Sequence, residues 1–331
     1  MAKIRWGIVG CGDVCEVKSG PGLYKAENSA LTAVMRRNGA LAEDFARRHG
    51  VARWYDDGDR LINDPEVDAV YVATPPDTHM SYTCKAAEAG KPVYVEKPMA
   101  RTHEECLTMI DACENAGVPL WVGYYRRRLP KFLKVQELIE EGAIGEVRSV
   151  LIRFYQPARP ANAFPDQRGW RVDPEVAGAG LFLDLGSHML DLLDYLLGPI
   201  SRVQGFAGNQ AGLYDAEDVV CGSFTFESGV QGTGTWMFSG FESLDWTEIE
   251  GTKGRIGYVC FDASPIALTT SAGTEKIPVT QPDHVHQPLI QTIVDELNGH
   301  GQCPSTGVSG ARTSWVMDQM LAEYRQKNYG Q

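Results

Sequence analysis

Residues 7–15 read GIVGCGDVC: they close an apolar run, Ile4–Val9, and lead into a helical stretch, Cys15–Ala26. A strand that ends in Gly10-x-Gly12 and turns at once into a helix leaves few folds open. Gly10 permits the tight turn, and Gly12 lets a backbone approach a phosphate at the N-terminus of the helix that Asp13 and Val14 open. Cys15 holds the third place of the glycine fingerprint and is small enough for the helix to pack on the strand. Glycines alone would suit a turn in some other α/β protein. The strand before them and the helix after them favour a dinucleotide.

The following residues extend that pattern. Ala30–Met35, Trp54–Tyr55, Asp68–Ala73, Val93–Val95 and Pro119–Gly123 read as strands. Between them lie helices near Ala40–His49, Asp57–Asn63 and Pro76–Ala89, and one from the Thr102/Glu105 capping box to about Ala116. Such alternation implies right-handed crossovers and a doubly wound parallel sheet, its strands covered on both faces. The expected α/β Rossmann domain occupies residues 1–125.

From residue 126 the grammar changes. A helix at Pro130–Glu141 and a strand at Gly145–Tyr155 precede a 22-residue loop, RPANAFPDQRGWRVDPEVAGAG, of the length that usually lines a site. A helix at Leu181–Leu197 follows. Six strands near 202–208, 217–228, 230–239, 244–251, 254–260 and 264–270 read as an antiparallel meander, and helices at 287–299 and 308–326 close the chain. Residues 126–331 form the expected second domain.

Composition removes several classes of partner. A net charge of −12 argues against nucleic acid. No apolar run approaches the roughly 20 residues a membrane helix needs. The chain enters a strand at once, which leaves no room for a leader, and its eight cysteines include no CxxC pair. A soluble cytoplasmic protein is expected.

Cofactor choice turns on the end of the second strand. Met35-Arg36-Arg37-Asn38 carries two guanidiniums where an acid would hold a ribose 2′-hydroxyl, and no acid comes before Glu43. NADP is therefore expected, with NAD the alternative if these are solvated helix-entry arginines. Thr74, Pro75 and His79 follow the fourth strand, on the adenosine–ribose side.

The reacting groups are sought at strand ends and where the two domains meet. The stretch VYVEKPM ends an apolar strand in Glu96, Lys97 and Pro98. A surface strand also ends in charge, but the carboxyl edge of an open α/β sheet is where ligands lie. There Lys97 would reach the nicotinamide region and stabilise negative charge on a substrate oxygen, with Glu96 beside the cofactor or paired with Lys97. In DLGSHMLD, Asp184 and His188 are four apart and share one helix face, with Asp191 near the same stripe. His188 oriented by Asp184 suits a base near neutrality. The plainer reading is a core histidine bonded to an acid. Which of Lys97 and His188 carries the proton is left open. No further ligand is suitably spaced for a metal, so none is expected. Arg126–Arg128, His284, His286, Tyr155 and Arg159 are weaker candidates for phosphate or substrate contact.

These motifs together resemble a known family. GIVGCGDV at 7–14, ATPPDTH at 73–79, VEKPMA at 95–100, WR at 170–171 and GAGLFLDLGSHMLDLLDYLLG at 178–198 are similar to the glucose–fructose oxidoreductase/inositol dehydrogenase (Gfo/Idh/MocA) family over nearly the whole chain. The resemblance implies a C-terminal α+β domain with a large, mostly antiparallel sheet whose open face serves oligomerisation as a homodimer or homotetramer. It implies a cis bond before Pro98 and a Trp170–Arg171 pair that reaches the cofactor. Cys15 and Arg36–Arg37 depart from the family pattern; only the second bears on chemistry. The function implied is hydride transfer between NAD(P) and a hydroxyl or carbonyl of a sugar, polyol or related small polar molecule. The alternatives are an NAD-dependent glycosidase using transient oxidation, and a non-catalytic cofactor sensor for which Lys97, Asp184 and His188 would be superfluous.

Overall fold

A computed structural model describes residues 1–163 and 169–330, so part of the long loop expected at 159–180 lies outside the described residues. The chain forms two compact units, Met1–Leu129 with Pro282–Ala311, and Pro130–Gln281 with Arg312–Gln331.

The first unit is built on β1 (Ile4–Val9), α1 (Asp13–Val17), α2 (Gly20–Lys25), β2 (Ser29–Met35), α3 (Gly39–His49), β3 (Arg53–Tyr55), α4 (Gly58–Ile62), β4 (Ala69–Val72), α5 (His79–Glu88), β5 (Val93–Val95), α6 (His103–Ala116) and β6 (Leu120–Val122). Its six strands are all parallel, in the order β3-β2-β1-β4-β5-β6. Every residue of β4, β5 and β6 is buried, as helices on both faces require. The free edge of β6 is closed by the chain at Ser305–Thr306, where Val122 N–H donates to the Ser305 carbonyl at 3.0 Å. The single helix expected at Cys15–Ala26 is two short ones. Pro21, in the first turn of α2, has no N–H to continue α1. A Cβ on Gly20 would lie 2.0 Å from the Cys15 carbonyl oxygen, so the chain folds back onto itself there.

The second unit contains α7 (Pro130–Glu140), β7 (Val147–Pro157), α8 (Pro174–Ala177), α9 (Ser187–Leu197), β8 (Ile200–Gly208), β9 (Val219–Phe226), β10 (Gln231–Gly240), β11 (Leu244–Gly251), β12 (Gly254–Tyr258), β13 (Ile266–Thr270) and β14 (Gly273–Ile277). The two closing helices are α10 (Gln287–Leu297), which belongs to the first unit, and α11 (Gly307–Tyr329). The eight-stranded sheet runs β14-β13-β12-β11-β7-β10-β9-β8. The expected meander is corrected in two places. β7 sits between β10 and β11, parallel to β10, and β14 adds a strand beyond the six expected after 200. β7 earns its central place through alternating Val150, Ile152 and Phe154, all buried on one face. That face is covered by helices. Trp236 Nε1 donates to Met189 Sδ of α9 at 3.4 Å, and Phe132 of α7 meets Tyr258 edge-on at 5.7 Å. Gly205 in β8 admits Met320 of α11, whose Cα would lie 2.9 Å from an added Cβ.

Composition alone misleads at one point. The helical run Pro174–Leu197 is long and apolar enough to cross a membrane, contrary to the expectation that no such run exists. Since 83% of its most apolar window is buried inside the protein, it is a core element here.

Candidate active site

The turn after β1 is shaped by Gly10. Its φ of +95° is left-handed territory, and a Cβ there would lie 2.7 Å from Thr74 Cγ2 and 2.8 Å from Thr74 N. The ends of β1 and β4 therefore touch at the point where strand order reverses, the position at which doubly wound sheets take ligands. Gly12 caps α1, and a Cβ on it would meet nothing nearer than 3.9 Å, so the loop is open on that side. Asp13 is exposed and Val14 half-buried in the first turn of α1. Cys15 is fully buried, its Sγ 3.8 Å from the Ser19 hydroxyl, and burial pushes the thiol pKa well up.

Arg36 is half-buried and Arg37 exposed immediately after β2. Among the described residues neither makes an ion pair with an acid, in contrast to Arg5 and Arg48 of the same unit. Thr74 has its Oγ1 buried without a partner. Pro75 is half-buried and its carbonyl accepts from Thr78 N–H at 3.2 Å. His79 is a clamp between loops. Its Nε2 lies 2.7 Å from the Thr74 carbonyl, and its Nδ1 lies 3.1 and 3.2 Å from the carbonyls of Pro98 and Met99. Burial holds its pKa below the usual histidine value even against these three carbonyls.

The strand β5 ends in the most heavily supported group of the first unit. Glu96 is 6% exposed and receives the Tyr71 hydroxyl on Oε1, while Lys97 N–H donates to Oε2 at 3.1 Å. Burial pushes the Glu96 pKa up, and the charge of Lys97 pulls it down. Lys97 is half-buried, and the peptide bond to Pro98 is cis. The sequence marks His286 only as a helix-start residue near substrate. It is 1% exposed, with Nδ1 2.9 Å from the Tyr94 hydroxyl and Nε2 3.6 Å from Glu96 Oε1. Tyr71 and Tyr94 were missed altogether. The readable signal was a phenol in the middle of each of two otherwise aliphatic buried strands, DAVYVA and PVYVEKP. Arg126 lies over the Tyr125 ring at 4.9 Å, and Arg127 donates to the Pro304 carbonyl at 3.0 Å. His284 meets Lys25 Nζ at 2.6 Å.

In the second unit, Trp170 and Arg171 stack at 4.4 Å, and Arg171 Nε approaches Asp184 Oδ2 at 3.4 Å. Thus Trp170, Arg171 and Asp184 are brought together. His188 is buried, edge-on to Phe261 at 5.8 Å. The expected continuous α-helix begins differently: Phe182–Gly186 winds with i→i+5 spacing, and α9 starts at Ser187. Gly186 makes the wide turn feasible, because a Cβ there would lie 2.6 Å from the Phe182 ring. Such wide turns occur often at functional sites. Asp191 accepts from Thr313 at 3.4 Å, so it is tied to α11. Arg159 donates to Gln156 at 3.0 Å, and Tyr155 is half-buried. Among the described residues no three His, Cys, Asp or Glu side chains gather as a metal site.

An open loop at Gly12, a glycine turn no side chain could replace and an orphaned Thr74 hydroxyl at the reversal of strand order fit a bound nicotinamide dinucleotide. With Lys97 at the next strand edge, the fold and its loops define a dinucleotide-dependent oxidoreductase. Residues 4–124 match the oxidoreductase family with an NAD-binding Rossmann fold, and residues 132–257 match the GFO/IDH/MocA C-terminal domain; the chain belongs to the Gfo/Idh/MocA family. It is 38% identical to an oxidoreductase of Formosa agariphila over 96% of this chain and 98% of that one. It is 28% identical to the 1,5-anhydro-D-fructose reductase of Ensifer adhaerens over 99% and 97%. The structure of the aldose–aldose oxidoreductase from Caulobacter crescentus complexed with glycerol superposes with a TM-score of 0.84 at 26% identity, over 99% and 98% of the two chains.

Proposed function

We propose that this oxidoreductase moves a hydride between NADP(H) and a hydroxyl-bearing or carbonyl carbon of a sugar, polyol or similar small polar molecule. The observation that carries the reading is Lys97, half-buried at the carboxyl edge of β5 with the buried Glu96 carboxylate behind it. The sugars named for two of the relatives support the substrate class. Gly10, Gly12, Asp13 and Val14 hold the pyrophosphate, Thr74 and Pro75 line the adenosine side with His79 bracing them, and Trp170–Arg171 contact the cofactor as the family resemblance implies. Arg36 and Arg37, without acidic partners of their own among the described residues, take the 2′-phosphate. The nicotinamide supplies or accepts the hydride. Lys97 donates a hydrogen bond to the substrate oxygen as negative charge develops there. His188 holds or takes the hydroxyl proton, and Asp184, kept in place by Arg171, orients it. The eight free thiols fit a reducing cytoplasm. The open face of the large sheet, where Leu151 and Phe206 are exposed, is the surface for self-association into a dimer or tetramer.

The test is a panel of sugars, polyols and small ketones assayed with NADPH and NADH. Lys97→Ala is expected to lower kcat by about 100- to 1000-fold while cofactor binding, followed by fluorescence, persists. Undiminished turnover in that variant would remove Lys97 from the chemistry, and a wild-type preference for NADH would overturn the choice of NADP.

A further inference from the structure

We propose that His286 is a positioning residue for the reaction at Lys97: fixed by Tyr94 with its proton on Nε2, it keeps the Glu96 carboxylate charged and turned toward the Lys97 backbone. This rests on the reading of Lys97 just given. His286 lies 190 positions beyond Glu96, yet it enters the same buried cluster of the first unit as the cap of α10. Its ring lies against Tyr125 at 4.3 Å and meets Tyr94 edge-on, and Tyr94 stacks on Tyr71 at 4.7 Å. The tautomer follows from the two partners. Burial raises both tyrosine pKa values well above the usual phenol range, so each hydroxyl keeps its proton and can donate. A carboxylate can only accept. With Tyr94 donating to Nδ1, the remaining proton sits on Nε2 and faces Glu96 Oε1 across 3.6 Å, so its N–H dipole acts on the carboxylate from just beyond hydrogen-bond length. The opposite tautomer would set a nitrogen lone pair against the carboxylate.

The charged groups around the pair agree with a neutral histidine. Burial, with Lys18, Lys97 and Arg126, keeps the imidazole uncharged. Around Glu96 stand Tyr71, Lys97 and Lys18, with the Cys15 thiol and Tyr94 as neutral neighbours. Tyr71 and Lys97 N–H occupy one oxygen each, so the His286 N–H is the third dipole facing a carboxylate whose pKa burial pushes up. A charged Glu96 holds the backbone N–H of Lys97 at the point where that side chain leaves the sheet.

The charge of Glu96 is read by infrared pH titration of the cofactor-free protein, its carboxyl band assigned by disappearance in Glu96→Gln. His286→Leu is expected to move the midpoint up by about one pH unit, as loss of one donor would. Tyr94→Phe, which keeps the stacked ring, moves it the same way by less, and His286→Gln restores most of it. The acid limb of kcat shifts by the same amount while KM for cofactor stays within about twofold. An unmoved midpoint in His286→Leu, or a protonated Glu96 at pH 7 in the wild type, overturns the proposal. If His286→Leu does not fold, Tyr94→Phe carries the same test. Full turnover in Lys97→Ala would instead refute the reading of Lys97 and leave the infrared result standing.

Discussion

Glu96 and Glu217 are both buried and burial pushes both carboxyls up, but different groups face them. Glu96, in the first unit, has a tyrosine hydroxyl, the Lys97 N–H and the charges of Lys97 and Lys18. Glu217, in the second unit, has both oxygens 2.9 Å from the one N–H of Gly180, and its pKa is pushed up to about 7. Backbone hydrogen bonds from Gly180 and from Glu217 itself, with the charge of Arg325, pull it down without offsetting burial, while Asp218 pushes it further up. Burial alone therefore decides neither role. At Glu96 a neighbouring lysine, a tyrosine hydroxyl and a backbone N–H work against burial; at Glu217 backbone N–H groups and one arginine leave a carboxyl that titrates near 7.

The same substitution at both sites should give opposite results. Glu96→Gln removes the charge behind Lys97, and kcat is expected to fall about 100-fold in steady-state assays. A loss of less than threefold would erase the functional side of the contrast. Glu217→Gln should leave kcat within about twofold and change stability instead. The folded pKa of Glu217, about 7, lies above the ordinary 4.5, so its contribution is complete below pH 4.5 and is lost as pH rises through 7. A rise of about 2.5 pH units corresponds to at most about 3 kcal/mol across that window. Glu217→Gln should flatten the fall in Tm between pH 5 and 8 and melt above the parent at pH 8. Parallel Tm curves for variant and parent would show that Glu217 ionises freely in the folded protein.

The two sites were unequally legible in the sequence. The Gly10 turn, the strand-end position of Lys97 and the Thr102 cap, which accepts Glu105 N–H at 3.2 Å, depend on residues a few positions apart. Local dihedral and hydrogen-bond chemistry decides such features. The insertion of β7 beside β10 depends on pairing between segments some 80 residues apart, which a run of adjacent strands does not reveal. The return of 282–311 to the first unit, and with it the place of His286, is non-local in the same way. The wide turn at Phe182–Gly186 was hidden because DLGSH fits an α-helical stripe; the Phe182 ring over Gly186 shows only in three dimensions. Glu217 gave no signal at all, since DAEDVV reads as polar residues at a strand entrance.

The smallest expected effect tests whether the Gly180 contact sets the behaviour of Glu217. A Cβ on Gly180 would lie 2.6 Å from the Glu217 carbonyl oxygen and 3.1 Å from its Oε1, so Gly180→Ala forces the two segments apart. The steric cost is about 1–2 kcal/mol at any pH. Separation also lengthens the Gly180 N–H···carboxylate bond, which raises the Glu217 pKa further and carries the loss of stability to higher pH. The two contributions separate in a double-mutant cycle with Glu217→Gln, read by urea unfolding at pH 5 and pH 8. At pH 5 Glu217 is protonated in both backgrounds, and the costs should nearly add. At pH 8 the coupling should grow by about 0.5–1 kcal/mol, because only the parent has a carboxylate to lose its donor. Equal coupling at the two pH values would mean that Gly180 is required for its shape alone, and the contrast with Glu96 would then rest on cations and hydroxyls without any part for the backbone N–H.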